Sequence, residues 1–206
     1  MSEQVFRGLL LAVMAASLAI GIYHRVRAHT GEKLDRRQEG WALCVAIRLC
    51  GLSAWAAILA YLIRPQSMAW AQVQLPAWLR LAGAGLGVAA ATLLWWVLHT
   101  LGGNLTDTVV TRRQAKLVTG GPYRWVRHPF YGAATLLFVA VTLLAANWFF
   151  LAAFLPALAL LVVRTRKEEA KLLERFGEQY LQYMGRTGRF APRLRAKDTA
   201  VARQEY

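Results

Sequence analysis

Long apolar runs alternate with short basic stretches along the whole chain. Runs near Gly8 to Tyr23, Gly40 to Ile63 and Leu81 to Leu101 are apolar on every face, unlike the one-sided stripe of a surface helix. Each approaches the roughly 20 residues that cross a hydrocarbon core. The last run, Ala133 to Val163, has 31 residues, more than a single tilted span requires. Asn147-Trp148 at its middle predicts a hairpin, with spans near Tyr131 to Ala146 and Trp148 to Val163. A tight turn at the outer interface would place the Asn147 amide in water and the Trp148 indole in the aromatic belt. The expected fold is all-α: an integral membrane protein of about five transmembrane helices, followed by a C-terminal amphipathic helix from Arg164 to Met184.

Composition supports a membrane rather than a soluble chain. Of the 206 residues, 57% are hydrophobic and 17% charged, too few charges for a solvated surface all round. The net charge of +14 would raise nucleic-acid binding in a soluble protein, but its distribution argues for topology. The segment His24 to Glu39, the segment Gly102 to Phe130 and the part after Val163 hold 21 of the 25 Lys and Arg residues. By the positive-inside rule these three are cytoplasmic and the N-terminus is outside. The basic excess then serves topology and contact with anionic lipid, with no nucleic-acid partner.

Local features narrow the picture. Arg7 and the apolar stretch after it partly resemble a secretory signal, but His24, Arg25 and the basic loop behave as a stop, so a retained span is expected. Cys44 and Cys50 match no metal or redox spacing and read as buried thiols, so no metal is expected. Gly83, Gly85 and Gly87 mimic a dinucleotide loop, but no strand precedes them. Gly83, Gly87 and Ala91 instead give a small-residue face for close helix packing. The acceptor-like Asn104-Leu105-Thr106 falls on the cytoplasmic side, where it would not be glycosylated.

The chemistry concentrates in two places. In Gly120 to Gly132, Gly121 and Pro122 fix a turn, and Pro129 suits the first turn of a helix. Arg127 and His128 then sit just before that helix, with Tyr131 and Gly132 in its first turn. A basic, aromatic interface anchor would use the same residue types. In the tail helix, Leu172, Phe176, Tyr180 and Tyr183 share a stripe, and Glu169 projects within roughly 20° of its centre, with Glu168 about 80° away. An acid there is costly unless paired. A cationic ligand, or Arg127 and His128 folded over from the other loop, would supply the partner.

Gly121-Pro122-Tyr123, Arg127-His128-Pro129-x-Tyr131-Gly132, Glu168-Glu169 and Phe176-Gly177-x-x-Tyr180-x-x-Tyr183 together resemble the isoprenylcysteine carboxyl methyltransferase family and its bacterial phospholipid-methyltransferase-like relatives. The resemblance covers Leu117 to Pro192. It implies three parts: transmembrane helices with their loops over 1–116, a catalytic cofactor-binding part over 117–192, and a basic polar tail over 193–206. It also implies a membrane enzyme that uses S-adenosylmethionine in a cytosol-facing pocket closed by the C-terminal part, with a lipophilic acceptor entering from the bilayer. The implied cofactor-binding residues are Gly121, Pro122, Tyr123, His128, Pro129, Tyr131, Gly132, Glu168 and Glu169, and the catalytic candidates are Arg127, His128 and Tyr131.

The residue chemistry is compatible with that expectation. Paired acids suit the cofactor's ammonium or ribose hydroxyls, and Arg127 suits a carboxylate. In-line methyl transfer needs chiefly alignment and exclusion of water. A prenylcysteine-type carboxylate acceptor has no proton to lose, whereas an amine or thiol would need a base such as His128 or Tyr131. Two other readings stay open: a reductase of the sterol-reductase type using NADPH, which bears a similar Arg-His-Pro-x-Tyr-x-Gly and acidic tail, and a non-catalytic membrane transport or scaffold protein in which Glu169 only pairs with Arg127 or His128.

Overall fold

A computed structural model describes residues 1–29, 41–105 and 116–193. Lys33, Arg36, Arg37, Arg112, Arg113, Thr106 of the acceptor-like triplet and the tail from 194 onwards lie outside the described residues. Among these residues six α-helices follow one another: α1 (Glu3–Arg27), α2 (Trp41–Ile63), α3 (Ala77–Leu101), α4 (Pro129–Ala145), α5 (Phe149–Phe176) and α6 (Glu178–Arg186). α1, α2, α3 and α5 are long and apolar enough to cross a membrane, and α4 is a shorter apolar helix. Helices suit this setting because they satisfy their own backbone groups where water is scarce.

The last apolar run folds as a hairpin, as its length predicts. Ala146 adopts a left-handed conformation (φ 49°) and closes α4: its N–H donates to Leu143 O (3.2 Å) and that of Asn147 donates to Thr142 O (3.1 Å). The expected setting of Asn147 is wrong, however. It is buried rather than in water, because the turn over Pro65–Ala71 covers the hairpin tip. Asn147 Nδ2 donates to Met68 O at 3.0 Å, and its Oδ1 accepts from Phe149 N at 3.1 Å. Trp148 remains exposed and meets Trp70 edge-on.

The terminal carbonyls of the helices at this end find side-chain donors. Arg80 donates to Leu144 O through Nε (3.1 Å) and Nη2 (2.7 Å), Tyr61 donates to Ala145 O at 3.1 Å, and Arg7 donates to Leu62 O. Arg80 is itself buried, paired with Glu3 and stacked over Phe6. These contacts answer the four orphan carbonyls that every helix C-terminus leaves. Phe6, Leu10, Ile58, Leu144 and Phe150 pack beside them as the apolar core.

The small-residue face of α3 serves two neighbours, not one. A Cβ at Gly83 would lie 2.7 Å from Leu143 Cβ and 3.2 Å from Leu144 N, whereas one at Gly87 would lie 2.8 Å from Val13 Cγ2. Gly83 thus admits α4 and Gly87 admits α1, in keeping with the packing reading of those glycines. Cys44 and Cys50 are half-buried thiols on α2. The tail differs from its expected form. α5 runs on without interruption from the apolar run to Phe176, and Gly177 (φ 50°) breaks it before α6.

Gly83→Leu should lower the thermal midpoint strongly, with an overpacking cost on the order of 1–3 kcal/mol or more, because backbone as well as side chain opposes it. Gly85→Ala, whose Cβ would meet nothing within 4 Å, should leave the midpoint unchanged or slightly raised. Equal midpoints for the two variants in detergent would contradict the packing role of Gly83.

Candidate functional site

At the opposite end of the bundle, the two segments singled out in the sequence meet. Gly121 has φ +55°, and a Cβ there would lie 2.6 Å from Thr100 Oγ1, so the turn can back onto α3 only with glycine. Pro122 and Tyr123 follow in a short 3-10 turn, both buried. The chain then extends and pairs Val126 with Gly188 in an isolated parallel bridge. Arg127 N donates to Gly188 O (2.9 Å), His128 N donates to Arg189 O (3.1 Å), and Gly188 N donates to Trp125 O (3.2 Å). Pro129 opens α4, which sets Tyr131 and Gly132 in its first turn.

Glu169 lies at the centre, 5% exposed. Its Oε1 accepts from Arg127 Nε at 2.8 Å and faces His128 Nε2 at 3.2 Å, and its Oε2 accepts from Arg189 Nη2. Arg127 Nη1 also donates to Thr187 O (2.6 Å) and Met184 O (3.2 Å). The loop residues Arg127 and His128, one of the partners the stripe argument allowed for Glu169, fold over to meet it. Arg189 is a third partner that sequence reasoning missed. The one signal for it is Gly188 beside it, where a Cβ would lie 1.7 Å from Ala191 O and so demands glycine.

Aromatic rings surround the ions. His128 and Tyr131 stack at 5.6 Å, and Phe190 tilts against both at about 6 Å. Tyr183 Oη donates to Tyr123 O at 2.7 Å, tying α6 to the turn. Burial pushes the Tyr183 phenol up to about 12, and those of Tyr123 and Tyr180 move in the same direction for the same reason. The phenols therefore stay neutral at physiological pH.

Several groups of the cluster remain open to a ligand. Tyr180 is 1% exposed, yet its hydroxyl has no hydrogen-bond partner among the described residues. Glu168, half-buried, carries no ion pair among the described residues and lies close enough to influence Tyr123 and Tyr180 electrostatically. A Cβ at half-buried Gly132 would meet nothing within 4 Å. Among the described residues, an acid without an ion pair, a hydroxyl without a partner and an open approach to the backbone fit the ammonium, hydroxyls and flat ring of a nucleoside-bearing sulfonium, the cofactor that the family resemblance implies.

Residues 83–174 match the isoprenylcysteine carboxyl methyltransferase (ICMT) family. The chain is 27% identical over 124 residues to the human protein-S-isoprenylcysteine O-methyltransferase, covering 59% of this chain and 44% of that one. It is 32% identical over 111 residues to the nickel-cobalt-cadmium resistance protein NccN of Alcaligenes xylosoxydans xylosoxydans, covering 53% and 48%. The chain thus spans about half the length of these curated relatives. Among solved structures, the eukaryotic intramembrane Ras methyltransferase ICMT superposes with a TM-score of 0.50 at 24% identity, over 70% of this chain and 51% of that one. This likeness concerns the helical fold.

Glu169→Gln should cost stability on the order of 3–5 kcal/mol, because it leaves buried Arg127 without its carboxylate. Lys171→Ala breaks only the exposed pair with Glu174 and should cost less than about 0.5 kcal/mol. Similar denaturation midpoints for the two variants would refute the anchoring role of Glu169. A second test uses alkali. An unfolded tyrosine ionises near 10 and Tyr183 in the fold near 12, so the unfolded chain loses protons first and stability falls as pH rises above about 10. Tyr183→Phe should flatten that fall in a pH series of melting curves.

Proposed function

From a chain that carries an ICMT-family segment at residues 83–174, we propose an S-adenosylmethionine-dependent methyltransferase that modifies a lipophilic acceptor at the cytosolic face of a membrane. The acceptor that suits it best is a prenylcysteine-type α-carboxylate or a related lipid-like substrate. One observation carries the proposal: the loop before α4 meets Glu169 of α5 in a buried cluster that, among the described residues, leaves the Tyr180 hydroxyl without a hydrogen-bond partner and Glu168 without an ion pair, with open space over Gly132. The cofactor-binding part in this reading is 117–192, with helices of 1–116 as its membrane platform and 193–206 as a basic tail.

S-adenosylmethionine supplies a methyl group on a sulfonium, and the protein has to hold and align it. Glu168 is the acid available for the cofactor's ammonium or ribose, since Glu169 is engaged by Arg127, His128 and Arg189. Glu169 accordingly acts by fixing Arg127 and His128. The Tyr180 hydroxyl can donate to the cofactor, and the turn of Gly121, Pro122 and Tyr123 with Pro129 forms the wall of the pocket. Gly132 lets the cofactor approach the backbone of α4. Arg127 sets a positive potential that suits a carboxylate on the acceptor or on the cofactor. A carboxylate acceptor brings no proton to remove, while for an amine or thiol the His128–Tyr131 stack places an imidazole at hand as base. Apolar α3 and α4 lead an acceptor's tail from the bilayer toward this end.

Gly132→Val should weaken S-adenosylmethionine binding by about tenfold or more in calorimetry with little change in melting temperature, since its side chain enters space no protein atom fills. His128→Ala should lower methyl transfer to a farnesylcysteine acceptor. The decisive experiment adds S-adenosylmethionine, S-adenosylhomocysteine or NADPH separately to purified protein and follows its melting. A rise with both adenosyl compounds and none with NADPH is expected. A rise with NADPH alone would overturn the reading in favour of a reductase.

A further inference from the structure

α1 and α3 leave a partly open cavity of about 500 Å³ between them, lined by Ala12, Ala16 and Ile20 on one wall and Val88, Ala91 and Trp95 on the other. Small apolar residues alone would mean only loose packing. Each wall, however, ends in a histidine one turn further along. His24 lies four residues beyond Ile20, and His99 four beyond Trp95, on the same helix faces. His24 is 6% exposed, and its Nε2 has no hydrogen-bond partner among the described residues. The His99 ring stacks on Trp95 at 4.7 Å and meets His24 edge-on at 6.0 Å. Arg27, near enough for its charge to reach His24, donates one N–H to Tyr23 Oη at 2.6 Å. A buried ring nitrogen left unpaired costs about 1–3 kcal/mol, so an apolar groove that ends in one calls for an occupant with a polar head.

Charge and size select that occupant. The end of the groove is basic, with Arg25 and Arg27 beside the two histidines, and suits an anionic head. A helix, about 10 Å across, is too thick for this volume along the three turns from Ala12 to His24. The groove also lies on a different face of α3 from the Arg127–Glu169 cluster. Trp96 and Thr100, each one residue beyond Trp95 and His99, are the ones that meet Trp125 and back Gly121.

We propose that this groove binds one anionic phospholipid of the surrounding bilayer, its acyl chain between α1 and α3 and its phosphate accepting hydrogen bonds from His24 Nε2 and Arg27. The inference stands apart from the methyl-transfer reading.

The test titrates the full chain in neutral detergent with dioleoyl phosphatidylglycerol or dioleoyl phosphatidylcholine and reads retained lipid by native mass spectrometry. One phosphatidylglycerol should be retained about tenfold more tightly than phosphatidylcholine, about 1.4 kcal/mol, since the choline ammonium cancels the headgroup charge that the basic end of the groove attracts. His24→Leu combined with Arg27→Gln should abolish that preference. Ala16→Phe, which fills the groove, should abolish retention of both lipids. Melting curves exclude misfolding of either variant, and S-adenosylmethionine affinity should stay at the wild-type value in both. Equal retention of the two headgroups, or retention untouched by either variant, would overturn the proposal. So would displacement of phosphatidylglycerol by a farnesylcysteine amphiphile, which would make the groove an acceptor site.

Discussion

The Glu169 carboxylate is the constraint on which the functional end depends. A carboxylate withdrawn from water needs compensating donors, and here they come from two separate stretches of chain: Arg127 and His128 before α4, and Arg189 after α6. Satisfying one acid therefore fixes the relative placement of α4, α5 and the segment beyond α6. The backbone pairing of Arg127 with Gly188 and of His128 with Arg189 completes the join. Because both carboxylate oxygens are engaged, the neighbouring acid, Glu168, is the one left for other partners. In the proposed function, adjacent glutamates thus divide the work between anchoring and binding.

The far end of the bundle solves a different problem with similar means. Carbonyls at the ends of α2 and α4 lack intrahelical partners in a region poor in water, and Arg7, Tyr61 and Arg80 supply donors to them. Arg80 serves twice, since its charge also needs Glu3. Asn147 plays the corresponding part for the hairpin, holding the turn over Pro65–Ala71 by its amide. Between these two polar ends the helices rely on apolar contact and on close approach at Gly83 and Gly87.

The features that could be read from sequence are those whose physics is local. Apolar run length gave the helices, and an excess of length at Ala133 to Val163 gave the hairpin. The misfit of Glu169 on an apolar stripe pointed to a partner, and the partner is there. What escaped depends on contacts distant in sequence. Asn147 looked like a solvated turn residue because nothing nearby indicates that Met68 would cover it. Arg80 carries no sequence signal, although it caps α4 and pairs with Glu3. Arg189 carries no periodic signal, since it follows the end of α6. The break at Gly177 passed unnoticed because Leu172, Phe176, Tyr180 and Tyr183 keep helical spacing across it.

The two polar ends also set a length. Arg80 and Thr100 stand 20 positions apart on α3, which at 1.5 Å per residue is about 30 Å, close to the thickness of a bilayer's hydrocarbon core. Arg80 is fixed to Glu3 and the end of α4, and Thr100 abuts the turn at Gly121, so neither end can slide along the membrane normal independently. A bilayer of another thickness therefore meets a fixed spacing, and the mismatch falls on tilt of the whole bundle or on the lipids around it, not on sliding of one helix past another.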